Sequence, residues 1–110
     1  MIKYTEILTI DQWKTLLEQS KEKAILVLKH STTCPVSAHA YGEFTSFVSP
    51  LETYLVKVIE NRMVSNEIES DLGVRHESPQ AFLIENGQAV WNASHWKITN
   101  KDLTKALKLL

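Results

Sequence analysis

The 110-residue sequence has a single cysteine, Cys34, so the chain has no partner for an internal disulfide. Lysine and arginine (12) nearly balance aspartate and glutamate (13), and the resulting net charge of −1 does not favour a nucleic-acid partner. No apolar run approaches the length of a membrane span, and the first residues lack signal-peptide character. From these absences we expect a cytoplasmic protein with no membrane or nucleic-acid partner.

The apolar pattern predicts one domain over residues 1–110, built from alternating strands and helices. Strands are predicted at 3–8, 24–29, 55–59, 81–84 and 89–91. Helices are predicted at 10–20, from Pro35 to about residue 48, at 64–72, and after Thr99. The order β-α-β-α-β-α-β-β-α predicts an α/β fold in which helices flank a mixed central sheet.

Local signals support several of these boundaries. Thr9 and Thr99 are each followed three residues later by a polar side chain, as at a helix start. For the helix at 64–72, Asn66 is favoured over Ser65 as the start. Gly73 suits a left-handed helix end, and Asn86-Gly87 is a strong hairpin signal.

The lone cysteine lies at a predicted junction between a strand and a helix. The apolar run Ile25–Leu28 gives way to small polar residues, and Pro35 suits the first turn of a helix. Unpaired N–H groups at a helix start favour a thiolate over a thiol. We therefore interpret Cys34 as a nucleophile, although a single cysteine is more often a small buried core residue.

Aromatic residues along the second helix, including Tyr41, Phe44 and Phe47, recur with Val48 at helical spacing and are interpreted as core. Trp91 and Trp96 are expected to pack in the core or at its rim. His39 is expected to be a surface or partly packed residue rather than a base.

Two blocks of residues resemble the thioredoxin superfamily over essentially the whole chain. Cys34-Pro35-Val36-Ser37 stands in the place of that superfamily's Cys-x-x-Cys motif. Ser78-Pro79, followed by an apolar strand and Asn86-Gly87, has the spacing of its cis-proline and hairpin glycine. Within the superfamily, Thr33 to Ser37 and His76 to Gln80 are most similar to the monothiol bacilliredoxins (the YtxJ-like family).

The resemblance implies a thioredoxin-like domain that acts on mixed disulfides between cytosolic protein thiols and bacillithiol. It implies that the protein binds no cofactor and uses bacillithiol as a co-substrate. A second low-molecular-weight thiol or a reductase would be its partner. The protein would be a monomer with a role in general stress. Cys34 would be catalytic, and the residues expected to support the site are Thr33, Pro35, Val36, Ser37, Ser78 and Pro79. Ser37 replaces a resolving cysteine, which excludes dithiol reduction.

Further contributions follow as hypotheses from the same resemblance. The N–H groups near Val36 and Ser37, and the Ser37 hydroxyl, would stabilise the Cys34 thiolate. A cis Pro79 would turn the Ser78 backbone towards the main chain of the substrate. Bacillithiol carries a malate unit, so four cationic side chains are candidate ligand contacts, although each is more often a solvated surface residue: Lys29, His30, Arg75 and His76.

Two other classes remain as alternatives, and a third is not expected. A non-catalytic thioredoxin-fold interaction module would have an inert Cys34. An iron–sulfur carrier like the monothiol glutaredoxins is disfavoured because Pro35 replaces the glycine of their Cys-Gly-Phe-Ser motif. A peroxidase would need an activating arginine and threonine in its family's spacing, which the sequence lacks. A metal site is not expected, since one cysteine and scattered histidines lack zinc-ligand spacing.

Overall fold

A computed structural model describes residues 4–110 as a five-stranded sheet with helices on both faces. The strands are β1 (Thr5–Glu6), β2 (Ile25–His30), β3 (Glu52–Lys57), β4 (Gln80–Glu85) and β5 (Gln88–Ser94). The helices are α1 (Ile10–Gln19), α2 (Pro35–Ser46), α3 (Arg62–Leu72) and α4 (Asn100–Leu107), and a 3₁₀ turn spans His95–Lys97. This order confirms the predicted α/β fold, although residue 3 of the first predicted strand lies outside the described residues.

The sheet is mixed, with the strand order β1-β3-β2-β4-β5. β3 is parallel to both β1 and β2, whereas β4 is antiparallel to β2 and β5. The parallel pairs are joined through helices, and β4 and β5 are joined by a tight turn, as parallel and antiparallel neighbours require. Because β2 occupies the centre, all six of its residues are buried.

Alternate residues of β2 belong to different layers, since successive side chains in a strand point to opposite faces. Leu26 and Leu28 pack in a cluster with residues of α2 and α4. Ile25 and Val27 pack in a second cluster with Trp13 of α1 and residues of α3. By the same alternation, the two polar residues at the end of β2, Lys29 and His30, have their side chains on opposite faces of the sheet.

Several local predictions are confirmed. The hydroxyls of Thr9 and Thr99 accept hydrogen bonds from the N–H groups of Gln12 (3.0 Å) and Asp102 (3.1 Å), so both cap their helices. Gly73 ends α3 with a left-handed backbone (φ 65°). The β4–β5 turn has positive φ at Asn86 and Gly87, as a tight hairpin of this sequence requires.

Other boundaries differ from the predictions. β3 covers residues 52–57 rather than 55–59, because Glu52 pairs with Ile25 at the start of β2. α3 begins at Arg62, and its first turn is not capped by Ser65 or Asn66. The Ser65 hydroxyl is buried and contacts His76 instead. α2 ends at Ser46, which leaves Val48 exposed rather than in the core.

Four segments meet at one edge of the sheet. The carboxyl ends of β2 and β3, the start of β4 and the end of β5 all lie there, because β4 runs antiparallel to its neighbours. The segments at this edge are residues 31–34, 58–61, 75–79 and 95–97. Within residues 4–110, no helix is both long and apolar enough to cross a membrane.

Candidate active site

Cys34 lies at this edge of the sheet, in the N-cap position immediately before α2, and Pro35 is in the first helical turn. Its N–H donates to the Ser31 carbonyl (3.3 Å), and its carbonyl accepts from the N–H of Ala38 (2.9 Å). Cys34 is a free cysteine and is partly exposed, and its side chain makes no capping hydrogen bond to the N–H groups of the first turn. The predicted strand–cysteine–helix junction is therefore confirmed.

Ser37 lies one turn into α2 and is fully buried. Its Oγ accepts a hydrogen bond from the N–H of Ser31 (2.8 Å) and lies 2.7 Å from Nδ1 of His30. The hydroxyl therefore holds residues 31–34 against α2. The hypothesis that it bonds the Cys34 thiolate is wrong in this arrangement, because its described partners are Ser31 and His30.

His30 lies beneath the start of α2 rather than on the surface. Its ring stacks on Tyr41 (centroids 4.9 Å apart), and burial lowers its pKa below the usual value, with Glu60 opposing the shift. Because β2 alternates, His30 faces the α2 layer and meets Ser37. His30 thus supports the cysteine-bearing segment from inside, and the ligand contact expected for it stays a prediction.

Lys29, the neighbour of His30, faces the opposite layer and is fully buried. Its Nζ lies 3.1 Å from Nδ1 of His76, and burial lowers the pKa of the ammonium from 10.5 to about 8. A lysine with no exposed surface does not reach a ligand at the protein surface. The prediction of a ligand contact is therefore wrong for Lys29.

The segment opposite Cys34, residues 75–79, contains a cis peptide bond between Ser78 and Pro79. Pro79 is buried, and its carbonyl accepts the N–H of His95 (3.0 Å). Gln80 holds the segment by accepting the Glu77 N–H (3.2 Å) and donating to the Arg75 carbonyl (3.1 Å). The Ser78 hydroxyl is buried and has no hydrogen-bond partner among the described residues.

Of the four side chains predicted to contact the ligand, Arg75 is the exposed one. His76 is partly buried, and burial together with the nearby Lys29 charge lowers its pKa, which favours a neutral imidazole. Arg75 remains a candidate ligand contact, while His76 packs on Lys29. Thr33 and Pro35 are exposed beside Cys34, and Val36 is partly exposed.

The 3₁₀ turn His95–Lys97, which the residue pattern does not predict, forms a further wall of the site. His95 has a positive φ of 56°, which is unusual for a residue other than glycine, and its Nδ1 lies 3.5 Å from a carboxylate oxygen of Glu77. Trp96 is 61% exposed and packs on the ring of His39 (centroids 5.1 Å apart). No glycine or proline marks this turn, so the residue pattern gives no signal for it.

Among the described residues, no group of three or more His, Cys, Asp or Glu side chains could hold a metal ion. The site thus consists of one accessible thiol and polar side chains that hold the segments around it.

Comparison of the chain with known proteins shows which family it belongs to. A family model described as the monothiol bacilliredoxin BrxC matches residues 5–103. The chain belongs to the monothiol bacilliredoxin family. Membership in a monothiol family agrees with the single cysteine of this chain, Cys34. The protein is accordingly a thiol-disulfide oxidoreductase.

Solved structures support the same assignment. One, described as a proposed oxidoreductase with a thioredoxin fold, is 39% identical, with 94% of this chain and 93% of that chain covered and a TM-score of 0.86. The Schistosoma mansoni thioredoxin is 18% identical (98% and 95% covered, TM-score 0.78). The Malassezia sympodialis thioredoxin is 19% identical (99% and 91% covered, TM-score 0.77). The two thioredoxins show the fold alone.

Proposed function

We propose that this bacilliredoxin removes bacillithiol from protein mixed disulfides through the thiol of Cys34. The observation that carries the proposal is a partly exposed cysteine at the amino end of α2, with the buried Ser37 hydroxyl where a second thiol would stand. Because the chain has no second cysteine, the Cys34 thiol can exchange with an external sulfur, but no thiol of the same chain can then resolve the mixed disulfide on Cys34.

The exchange follows from the chemistry of one thiolate. The Cys34 thiolate attacks the bacillithiol sulfur of a mixed disulfide, forming a new S–S bond and breaking the old one. The protein sulfur leaves as a thiolate and takes a proton from solvent, and Cys34 now carries bacillithiol. A second low-molecular-weight thiol, or a separate reductase, then attacks this disulfide and regenerates Cys34.

Two segments beside Cys34 would bind the substrate. The Ser78 backbone, preceding the buried Pro79, would pair with the peptide-like part of the mixed disulfide. The exposed guanidinium of Arg75 would bind the malate carboxylates of bacillithiol. The substrates proposed are bacillithiol-modified proteins of the cytoplasm, bound by a monomer that requires no cofactor.

Transfer of the bacillithiol group tests the proposal. The reduced protein is mixed with a bacillithiolated protein, and intact-mass spectrometry follows both chains, with Cys34→Ser as the control. We expect the substrate to lose one bacillithiol while Cys34 gains it, and the control to gain nothing. The same protein modified with glutathione should react more slowly.

A second measurement separates a reactive thiol from an inert one. At pH 7, iodoacetamide should alkylate Cys34 faster than it alkylates a cysteine in an unstructured peptide. If no bacillithiol is transferred and Cys34 is alkylated no faster than the peptide cysteine, the protein is better described as a non-catalytic thioredoxin-fold module.

A further inference from the structure

Lys29 is a fully buried charged side chain outside the reacting centre. Its Nζ lies 3.1 Å from His76 Nδ1 and 5.8 Å from the centre of the Phe82 ring. Lysine is almost never fully buried unless it has a partner. An ammonium only donates hydrogen bonds, so His76 Nδ1 is the acceptor and the ring proton of His76 is on Nε2.

His76 is also held from α3. Glu69 accepts the His76 N–H (2.6 Å), and the Ser65 hydroxyl lies 3.3 Å from Nδ1. These two contacts join the segment 75–79 to α3, whereas the Lys29 contact joins it to β2. Lys29 is five residues before Cys34, and His76 is two residues before Ser78. The hydrogen bond between Lys29 and His76 therefore links the strand that leads to Cys34 with the segment that contains Ser78 and Pro79.

We propose that Lys29 is a positioning residue for the exchange reaction: through His76, its ammonium fixes the Ser78–Pro79 segment relative to Cys34 and so determines how tightly a peptide-like substrate binds. The inference rests on the proposed role of that segment in substrate binding. It predicts that loss of the ammonium weakens substrate binding and leaves the reactivity of the thiol unchanged, because Cys34 does not contact Lys29 or His76.

The protonation state of Lys29 should then affect binding. Charged groups around the pair come from each element packed against it: Glu69 and Arg62 from α3, and Glu77 from the segment itself. Burial lowers the pKa of Lys29 to about 8, and the Glu69 charge opposes that shift. Above this pH the amine is neutral, and its hydrogen bond to His76 is no longer charge-assisted and is roughly half as strong.

Two disulfide probes separate substrate binding from thiol reactivity. One is a pentapeptide whose single cysteine forms a mixed disulfide with 2-mercaptoethanol, and the other is bis(2-hydroxyethyl) disulfide, which has no peptide backbone. Single-turnover loss of the free Cys34 thiol is measured against probe concentration. The variant is Lys29→Met, which keeps an unbranched buried chain, and the matched control is Lys14→Met on α1.

For Lys29→Met we expect the half-saturating peptide concentration to rise about tenfold, as for loss of one charge-assisted hydrogen bond. The maximal rate and the rate with the small disulfide should stay within about twofold of wild type. In the wild-type protein alone, the half-saturating concentration should rise about threefold between pH 7 and pH 9. Unchanged peptide binding, or equal losses with both probes, would overturn the proposal.

Substitution of the acceptor gives an independent check. His76→Asn places an amide oxygen near the position of Nδ1, whereas His76→Leu removes the acceptor. We expect His76→Asn to bind the peptide more tightly than His76→Leu, and equal binding by the two would contradict the proposal. Neither probe contains bacillithiol, so a failure of the proposed bacillithiol specificity would leave this test intact.

Discussion

The hydroxyl of Ser37 lies 2.7 Å from Nδ1 of His30. The same oxygen accepts the N–H of Ser31. Ser37 is therefore more than a missing cysteine, because it ties the segment before Cys34 to the helix after it.

Replacing Ser37 by alanine should destabilise the protein. The Ser31 N–H and the His30 ring nitrogen would both lose their buried partner, at a cost of about 2 kcal/mol in the free energy of unfolding. Urea denaturation measures the change, with Ser70→Ala, at an exposed position of α3, as a control that should change by less than about 0.5 kcal/mol. Equal stabilities for the two variants would show that the Ser37 contacts contribute nothing.

Replacing Ser37 by cysteine should change the outcome of the exchange reaction. A second thiol three residues after Cys34 would attack the adduct on Cys34, release the small thiol and leave a disulfide within the chain. Mass spectrometry should then show an adduct that disappears with time and a product 2 Da lighter than the reduced protein. In Cys34→Ser/Ser37→Cys no such product should form, and a persistent adduct in the single variant would contradict the prediction.

Lys29→Met should stabilise the protein near neutral pH. Burial lowers the pKa of Lys29 from 10.5 to about 8, so the folded state disfavours the charged ammonium, and the hydrogen bond to His76 offsets only part of that cost. We therefore expect a gain of about 1 kcal/mol at pH 7 in denaturant unfolding.

The pH dependence of this gain has a definite sign. Between pH 8 and pH 10.5 the unfolded wild-type chain holds a proton that folded Lys29 has released, so wild-type stability rises with pH relative to the variant. The difference between the two proteins should therefore shrink towards pH 10. A constant difference from pH 7 to pH 10 would show that Lys29 titrates normally.

Arg75→Gln should weaken binding of the bacillithiol adduct specifically. Loss of an exposed cation is expected to raise the half-saturating concentration of a bacillithiolated protein about threefold, and less at high salt. The same protein carrying 2-mercaptoethanol, which has no carboxylate, should be unaffected. Lys23→Gln, an exposed lysine before the start of β2 at the opposite end of the sheet, is the control, and an equal effect from both variants would exclude a specific contact.

The position of the cysteine could be predicted from the sequence for physical reasons. A short apolar run must be buried as a strand, and a proline is tolerated in the first turn of a helix, so the intervening Cys34 had to lie at a junction. The hairpin at Asn86-Gly87 was equally predictable, because few residue pairs accept two positive φ angles.

The partners of the site residues could not be predicted in the same way. Whether Lys29 or His30 faces solvent depends on which layers cover β2. The groups around Lys29 are His76, the Phe82 ring of β4 and the Glu69 charge on α3. The polar character of both residues suggested exposure, and the tertiary structure buried them. The His95–Lys97 turn could not be predicted because a histidine, and not a glycine, adopts its positive φ.

The alternation of side chains along β2 has a mechanical consequence. Lys29 and His30 are consecutive, yet one supports the segment with Pro79 and the other supports the segment with Cys34. The segment with Cys34 and the segment with Pro79 are thus both anchored to a single pleat of the central strand. A small tilt of that strand end would carry both segments along together, so their separation would be kept while the surrounding scaffold fluctuates.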